Sequence, residues 1–111
     1  MGEYEVFWSR ESIYDIADIA DYIEMRFGSD RADRFVNEID NEGSKLGDNF
    51  KAYSGTGILY RNKLIMKKVF KPSIIFYYVD DERKRVNIIR VLRHERNWQK
   101  ILREQISYTF E

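Results

Sequence analysis

Basic side chains recur through the second half of the sequence, close to the only histidine, His94, and to the adjacent Tyr77 and Tyr78. Cations can stabilise the charge that develops when a phosphodiester is cleaved, and a histidine or tyrosine can exchange the protons. The pattern predicts one groove with four candidate catalytic residues: Arg90, His94, Arg61 and Tyr77. Candidate contacts to a nucleic acid or a partner are Lys67, Lys68, Arg93 and Arg96.

Each of these residues could also have a structural role. A single histidine beside Arg93 and Glu95 near a strand end is commonly a solvated residue. The stem of Arg90 could pack while its guanidinium pairs with an acidic residue of the fold. Tyr77 and Tyr78 must point to opposite faces of a strand, so one ring is expected in the core. Both kinds of role stay open at this stage.

The sequence contains none of the patterns typical of a cofactor or metal site. There is no glycine-rich phosphate loop, no zinc-ligand spacing and no Ser/His/Asp arrangement in a suitable context. Acidic residues recur on the first predicted helix at Asp15, Asp18, Asp21 and Glu24. Without a histidine nearby they are interpreted as a solvated helix face. No cofactor and no metal ion are therefore predicted.

Three apolar runs rich in β-branched and aromatic residues must position these groups: Leu64–Phe70, Ser73–Val79 and Val86–Leu92. Turn-forming residues separate them, which is typical of consecutive antiparallel strands. Because side chains alternate along a strand, the basic residues inside these runs must reach a sheet face. The pattern predicts one apolar and one basic sheet face, with Arg90 on the same side as Ile88 and Leu92.

The first half of the chain predicts a short strand at 4–8, followed by two helices. Apolar residues at helical spacing form the stripe of the first helix, which Gly28 ends: Ile13, Ile16, Ala17, Ala20, Ile23 and Phe27. The second helix begins after Ser29 or Asp30 and closes at Gly47. Its predicted core stripe is Ala32, Phe35, Val36, Ile39 and Leu46. Helices joined by so short a turn must form an antiparallel hairpin.

The remaining segments complete an α+β fold. Residues 48–57 have no hydrophobic period and are predicted to be a surface loop, and a short helix is predicted within 93–102. The tail, 104–111, fits a helix, an added strand or a disordered end. The predicted architecture has two layers: an N-terminal strand, an antiparallel helix hairpin, a three- to four-stranded antiparallel sheet and a short C-terminal helix.

Length and composition predict a single domain over residues 1–111. Without cysteine, a signal-peptide pattern or a membrane-length apolar run, the chain is expected to be cytoplasmic, with no membrane partner. Residues 1–50 carry five basic and thirteen acidic side chains, whereas residues 51–111 carry fourteen basic and six acidic. The basic half could face an anionic partner, or the two halves could neutralise each other.

The run YRNKLIMKKVFKPSIIFYYVDDERKRVNIIRVLRHERNWQKIL resembles the C-terminal half of the RelE/ParE toxin superfamily. A Tyr-Arg pair opens the sheet, IIFYYVD and VNIIRVL follow as strands, and RNWQKIL closes the domain. The hairpin pattern IADIADYIEMRFGSDRADRFVNEI also matches, so the resemblance covers residues 4–102. It implies the toxin of a type II toxin–antitoxin module, held in a heteromeric complex by a cognate antitoxin that wraps it.

The resemblance implies two alternative activities. A RelE-like member would cleave mRNA on the ribosome, with a 2′-hydroxyl attacking the adjacent phosphate. Arg61 and Arg90 would then stabilise the charge, and His94 or a tyrosine would transfer protons. A ParE-like member would inhibit DNA gyrase without such a cluster, and the long hairpin resembles this branch. A third hypothesis is a non-toxic relative that only binds its antitoxin. The chain departs from the pattern at Arg93, where many members have His or Tyr after RVL.

Overall fold

The computed structural model describes residues 3–110, which form a five-stranded sheet with helices on both sides. The strands are β1 (Glu5–Trp8), β2 (Ser54–Tyr60), β3 (Lys63–Phe70), β4 (Ser73–Asp80) and β5 (Arg85–Arg93). The helices are α1 (Arg10–Phe27), α2 (Ser29–Ser44), α3 (Leu46–Asn49) and α4 (Trp98–Glu104), with a 3₁₀ turn at Phe50–Ala52. The strand order is β1-β5-β4-β3-β2, in which β1 lies parallel to β5 and the other neighbours are antiparallel.

The predicted α+β fold is confirmed in element order, and the hairpin and the three central strands lie where they were predicted. Residues 48–57, predicted as a loop, instead contain the second half of α3, the 3₁₀ turn and the start of β2. β2 opens with Ser-Gly-Thr-Gly, which lacks the apolar residues that mark a strand. A register shift between Gly55 and Leu59 also interrupts its pairing with β3.

Local chemistry fixes both ends of α1. Ser9 caps its N-terminus, because the Ser9 hydroxyl oxygen accepts the backbone N–H of Ser12 at 3.0 Å. At the other end Gly28 has φ +95°, a conformation that favours glycine, and its N–H donates to the Glu24 carbonyl at 2.9 Å. α2 begins at the next residue, so the two helices pack as the predicted hairpin.

The buried stripe of α1 differs from the predicted one. It consists of Ser12, Asp15, Ile19 and Ile23, at spacings of three, four and four residues. Ile13 and Phe27, assigned to the core from the sequence, are 53% and 59% exposed, and Val36 of α2 is 38% exposed. The predicted stripe of α1 followed the apolar residues alone, whereas the first turns of the helix bury a serine and an aspartate.

Both faces of the sheet are buried, so the predicted basic face is wrong. The core under the hairpin includes Ile75, Tyr77, Val86, Ile88 and Val91. The core under α4 and the C-terminal segment includes Ile65, Phe76, Ile89, Leu92 and Leu102. The reason lies in β4, where every residue from Ser73 to Tyr77 is buried. A continuous apolar run of this kind is typical of a strand covered on both faces.

A β-bulge in β5 changes the side to which Arg90 belongs. Phe76 pairs with Arg90 and Tyr77 pairs with Ile88, which leaves Ile89 as an extra residue. Ile88 therefore lies in the core under the hairpin, and Ile89 lies in the core under α4. The prediction that Arg90 and Ile88 share a face is wrong, because the bulge shifts the alternation by one residue.

Gly43 of α2 packs directly against the Trp8 ring, and a Cβ at this position would overlap ring atoms. Gly43→Ala is expected to lower the free energy of unfolding by about 1–3 kcal/mol, because overpacking outweighs the better helix propensity of alanine. Urea denaturation measures the change. Ser44→Ala, at the exposed neighbouring position, should be nearly neutral. Equal stability of Gly43→Ala and wild type would contradict the packing argument.

Candidate functional site

The C-terminal half of β5 extends beyond the end of β1. There, Ser9 and Asp15 form the hydrogen bonds to β5 that a longer β1 would have formed. β1 pairs with β5 only as far as Ile88. Beyond this point the Ser9 hydroxyl donates to the Ile89 carbonyl at 2.7 Å. The Asp15 carboxylate accepts the backbone N–H of Val91 at 3.0 Å. Ser9 and Asp15 are buried because they complete the hydrogen bonds along this edge of β5.

Asp15 also forms a bidentate ion pair with Arg90. The Arg90 Nε and Nη2 atoms lie 2.7 and 2.8 Å from the two carboxylate oxygens, and the side chains are only 17% and 9% exposed. Hydrogen bonding to Asp15 raises the pKa of Arg90. Burial raises the pKa of Asp15, against the opposing effect of Arg90. The interpretation of Asp15 as solvated is wrong, and Arg90 takes the structural role that the sequence left open.

Two other candidates, Lys68 and Tyr77, lie on the hairpin side of the sheet. The Lys68 ammonium lies 3.0 Å from the Glu42 carboxylate and 2.8 Å from the Glu42 carbonyl, and its side chain is 4% exposed. The Tyr77 hydroxyl donates to the Phe50 carbonyl at 2.6 Å, and the ring is fully buried. Burial raises the pKa of Tyr77. Neither side chain therefore borders an open groove.

The Lys68–Glu42 pair predicts a pH dependence of stability. Hydrogen bonds from Lys68 and then Lys45 lower the pKa of Glu42 below its ordinary value of 4.5. The stabilisation is present above that value and is lost as the pH falls through the lower folded-state pKa. Wild type should therefore exceed Glu42→Gln in free energy of unfolding at neutral pH, by about 1–2 kcal/mol, because the variant leaves the buried Lys68 ammonium without its counter-ion while the Glu42 carbonyl still accepts its hydrogen bond. Urea denaturation at several pH values measures the difference in free energy of unfolding, which should narrow as the pH falls below the ordinary pKa of Glu42. A difference that widens in acid would contradict the assignment.

Arg61 and Lys67 each contact an aromatic ring of the core on the opposite side of the sheet, the core under α4 and the C-terminal segment, here called the second core. Arg61 occupies the β2–β3 turn, with its guanidinium 5.1 Å from the centroid of the Tyr60 ring. The Lys67 ammonium lies 5.2 Å from the Trp98 ring. Both cations thus rest on aromatic side chains of the second core.

Arg93, His94 and Arg96 lie at the end of β5. The Arg93 guanidinium is 4.0 Å from the centroid of the Tyr22 ring and 3.3 Å from the Glu95 carboxylate. His94 follows the strand in an exposed turn, and its backbone N–H donates to the Pro72 carbonyl at 2.8 Å. Arg93 and Arg96 line a small cleft of about 120 Å³ between α1 and the end of β5. The predicted residues therefore divide among both sheet faces and one end of the sheet, and do not form one groove.

Residues 6–98 match the sequence model of a family described as the ParE toxin of type II toxin–antitoxin system, parDE. The chain belongs to this ParE toxin family. The family confirms the resemblance found in the sequence, on residues that include the whole hairpin and all five strands except the first residue of β1. No curated protein is significantly similar in sequence to the chain.

The solved structures that share the fold of this ParE-family chain include two from toxin–antitoxin systems. The chromosomal ParDE system from P. aeruginosa is 18% identical, with a TM-score of 0.71 over 84% of this chain and 98% of that chain. The RelBE2 toxin–antitoxin complex from Mycobacterium tuberculosis is 14% identical, with a TM-score of 0.57 over 86% and 97%. At such identities the likeness concerns the fold, and function must be argued from sites.

An apolar groove lies between the two helices of the hairpin and Trp8 of β1 in this ParE-family chain. It has a volume of about 360 Å³ and is here called the hairpin groove. Its lining residues are Trp8, Ile13, Ile16, Val36, Asn37, Ile39 and Asp40. Ile13 and Val36, which were predicted to lie in the core, instead form exposed walls of this groove.

Another concavity, here called the tip cleft, lies where the α1–α2 turn of the hairpin meets the β3–β4 turn and the end of β5. It has a volume of about 330 Å³. Its basic lining residues are Arg31, Arg34, Lys71 and Arg93, and its acidic ones are Glu38 and Glu95. Of these, only Arg93 was predicted from the sequence to be a site residue. The sequence did contain one signal for this cleft: Arg31 and Arg34 are three residues apart, so they lie on the same side of α2.

Within residues 3–110, no helix combines the length and apolar character needed to cross a membrane. The same range contains no group of three or more histidine, cysteine or carboxylate residues arranged to hold a metal ion.

Proposed function

We propose that this ParE-family toxin arrests growth by binding DNA gyrase and not by cleaving RNA. We further propose that a cognate antitoxin neutralises it by covering the hairpin groove. The observation that carries the first part is the Asp15–Arg90 ion pair. The guanidinium that an RNA-cleaving site would require is bound at two of its three nitrogens by the buried Asp15 carboxylate, and the third donates to the Gln105 side-chain oxygen at 3.3 Å.

The other candidate catalytic groups support the same conclusion. Tyr77 is buried beneath the hairpin, while Arg61 rests on an aromatic ring at the opposite side of the sheet. Proton transfer requires the acid or base to lie within hydrogen-bond reach of the reacting group. Residues on opposite faces of one sheet cannot meet a single phosphate, so inhibition by binding fits the geometry better.

The antitoxin part rests on the hairpin groove and on the two matched structures. Contiguous exposed apolar surface commonly marks an interaction site, and Ile13 is 53% exposed at the edge of this groove. The RelBE2 match is a toxin–antitoxin complex and the other match is a ParDE toxin–antitoxin system. A partner helix with an apolar face would suit such a groove.

Pulse-labelling of DNA and protein synthesis directly after induction, without antitoxin, tests the target. We expect DNA synthesis to fall first and the purified chain to inhibit supercoiling by gyrase. Arg61→Ala and His94→Ala should remain toxic. An earlier fall in protein synthesis, with new mRNA 5′ ends that disappear in these variants, would overturn the proposal in favour of RNA cleavage. Normal growth would favour the non-toxic alternative.

The antitoxin part is tested separately by Ile13→Glu and Val36→Glu. Both variants should remain toxic and escape neutralisation by the co-expressed antitoxin, because a carboxylate in the groove would oppose burial. Met25→Glu is the matched control, since Met25 is 89% exposed on the same helix and does not line the groove. Full neutralisation of the two groove variants would place the antitoxin elsewhere.

A further inference from the structure

The tip cleft combines an apolar floor with a basic rim. Ile19, Ile23 and Phe35 contribute buried side chains to the floor, and Pro72 closes it from the β3–β4 turn. A volume of about 330 Å³ is at the small end of the range for binding pockets. The cleft therefore has room for one or two large side chains and not for a folded element.

Two of the four cations of the rim, Arg31 and Arg93, rest on aromatic rings. The Arg31 guanidinium carbon lies 4.9 Å from the centroid of the Phe27 ring, and that of Arg93 lies 4.0 Å from the centroid of the Tyr22 ring. Arg26 also rests on Tyr22, at 4.7 Å. An aromatic ring orients a guanidinium without neutralising its charge. The N–H groups of Arg31 thus remain available to a carboxylate, whereas the Arg93 guanidinium already contacts Glu95 through Nε.

The rim has an excess of positive charge. Four basic and two acidic side chains line the cleft, and Glu95 pairs with Arg93 at 3.3 Å. In the described part of the chain, no ion pair is found for Arg31, Arg34 or Lys71. Positive charge around an apolar floor is complementary to a segment with negative charge around an apolar side chain.

From this geometry we propose that the tip cleft binds an acidic peptide segment of another protein, anchored by one large apolar side chain. The carboxylates of the segment contact Arg31, Arg34, Lys71 and Arg93, while the anchor lies on the floor. The inference does not depend on which protein the toxin inhibits, because it concerns only the chemistry of the ligand.

A nucleic acid suits the cleft less well. Single-stranded nucleic acids bind by stacking bases on open aromatic faces beside a basic groove. Guanidinium groups already lie over the rings of Tyr22 and Phe27. Interfaces with nucleic acid are also more polar than the aliphatic floor formed by Ile19 and Ile23.

Fluorescence anisotropy of the purified full chain with three labelled probes tests the proposal. The probes are a Glu-rich hexapeptide with a central Leu-Phe, the same peptide with Ser-Ser, and a single-stranded DNA oligomer of matching length. The Leu-Phe peptide should bind about tenfold more tightly than the Ser-Ser peptide, because burial of a large apolar side chain contributes at least this factor. It should also bind more tightly than the oligomer.

Substitutions locate the binding. Arg31→Ala and Arg93→Ala should each weaken the Leu-Phe peptide about fivefold. Arg83→Ala should not, although it removes the same charge, because Arg83 lies in the β4–β5 turn with a side chain that is 72% exposed. Circular dichroism verifies that each variant is folded. Equal weakening by all three variants, tighter binding of the oligomer, or no peptide binding would each overturn the proposal.

Discussion

Asp15→Asn is expected to lower the free energy of unfolding by about 3 kcal/mol. The substitution removes the counter-ion of Arg90, whose side chain is only 17% exposed and is therefore poorly solvated. An uncompensated charge in such a place costs far more than the loss of a surface ion pair. Urea denaturation of the purified variant measures the change in midpoint and slope.

Two controls separate the buried charge from other effects. Asp18→Asn removes a carboxylate from the exposed side of the same helix, so it should change stability by less than about 0.5 kcal/mol. The double variant Asp15→Leu/Arg90→Met replaces both charges by apolar groups and should recover much of the loss. A destabilisation by Asp18→Asn equal to that by Asp15→Asn would contradict the argument.

The same ion pair explains why the predicted groove failed while the predicted fold succeeded. Alternation along Val86–Leu92 located the strand, because the apolar residues mark burial wherever the register lies. Alternation could not reveal the bulge at Ile89, because a bulge depends on pairing with β4. The sheet face of Arg90 was therefore predicted from a regular alternation, which the bulge interrupts.

Asp15 was misassigned for a related reason. Helical periodicity ranks residues by hydrophobicity, and an aspartate counts as a solvent-facing residue. This aspartate faces the core because β1 ends at Trp8 and leaves the Val91 N–H of β5 without a strand partner. The need for an acceptor arises from tertiary structure, so it is invisible to any window along α1. In contrast, the caps at Ser9 and Gly28 are local and were predictable.

Tyr108→Ala should also destabilise the chain strongly, by about 3 kcal/mol. The Tyr108 ring is 9% exposed and lies 4.9 Å from the Tyr60 ring in an edge-on contact. The C-terminal segment thus closes the second core, although the sequence left the structure of 104–111 open. Thermal and urea unfolding measure the loss, and increased binding of a hydrophobic dye would report exposure of the Tyr60 surface.

Tyr108→Phe is the matched control for this prediction. The Tyr108 hydroxyl is buried and has no hydrogen-bond partner among the described residues, so its removal should be neutral or slightly stabilising. The backbone N–H of Tyr108 donates to the Tyr60 hydroxyl at 3.2 Å and is unaffected by either substitution. A loss in Tyr108→Phe as large as in Tyr108→Ala would mean that the hydroxyl, and not ring burial, holds the segment.

Ending the chain after Gln105 should destabilise it at least as much as Tyr108→Ala. The deletion removes Tyr108 together with Thr109, whose backbone N–H donates to the Glu11 carboxylate at 2.9 Å. The Thr109 carbonyl also accepts the backbone N–H of Arg10 at 2.8 Å. These bonds join the C-terminal segment to the first turn of α1, the helix that carries Asp15. The deletion should therefore also weaken the Asp15–Arg90 pair, so Asp15→Asn should cost less in the truncated chain than in the full one.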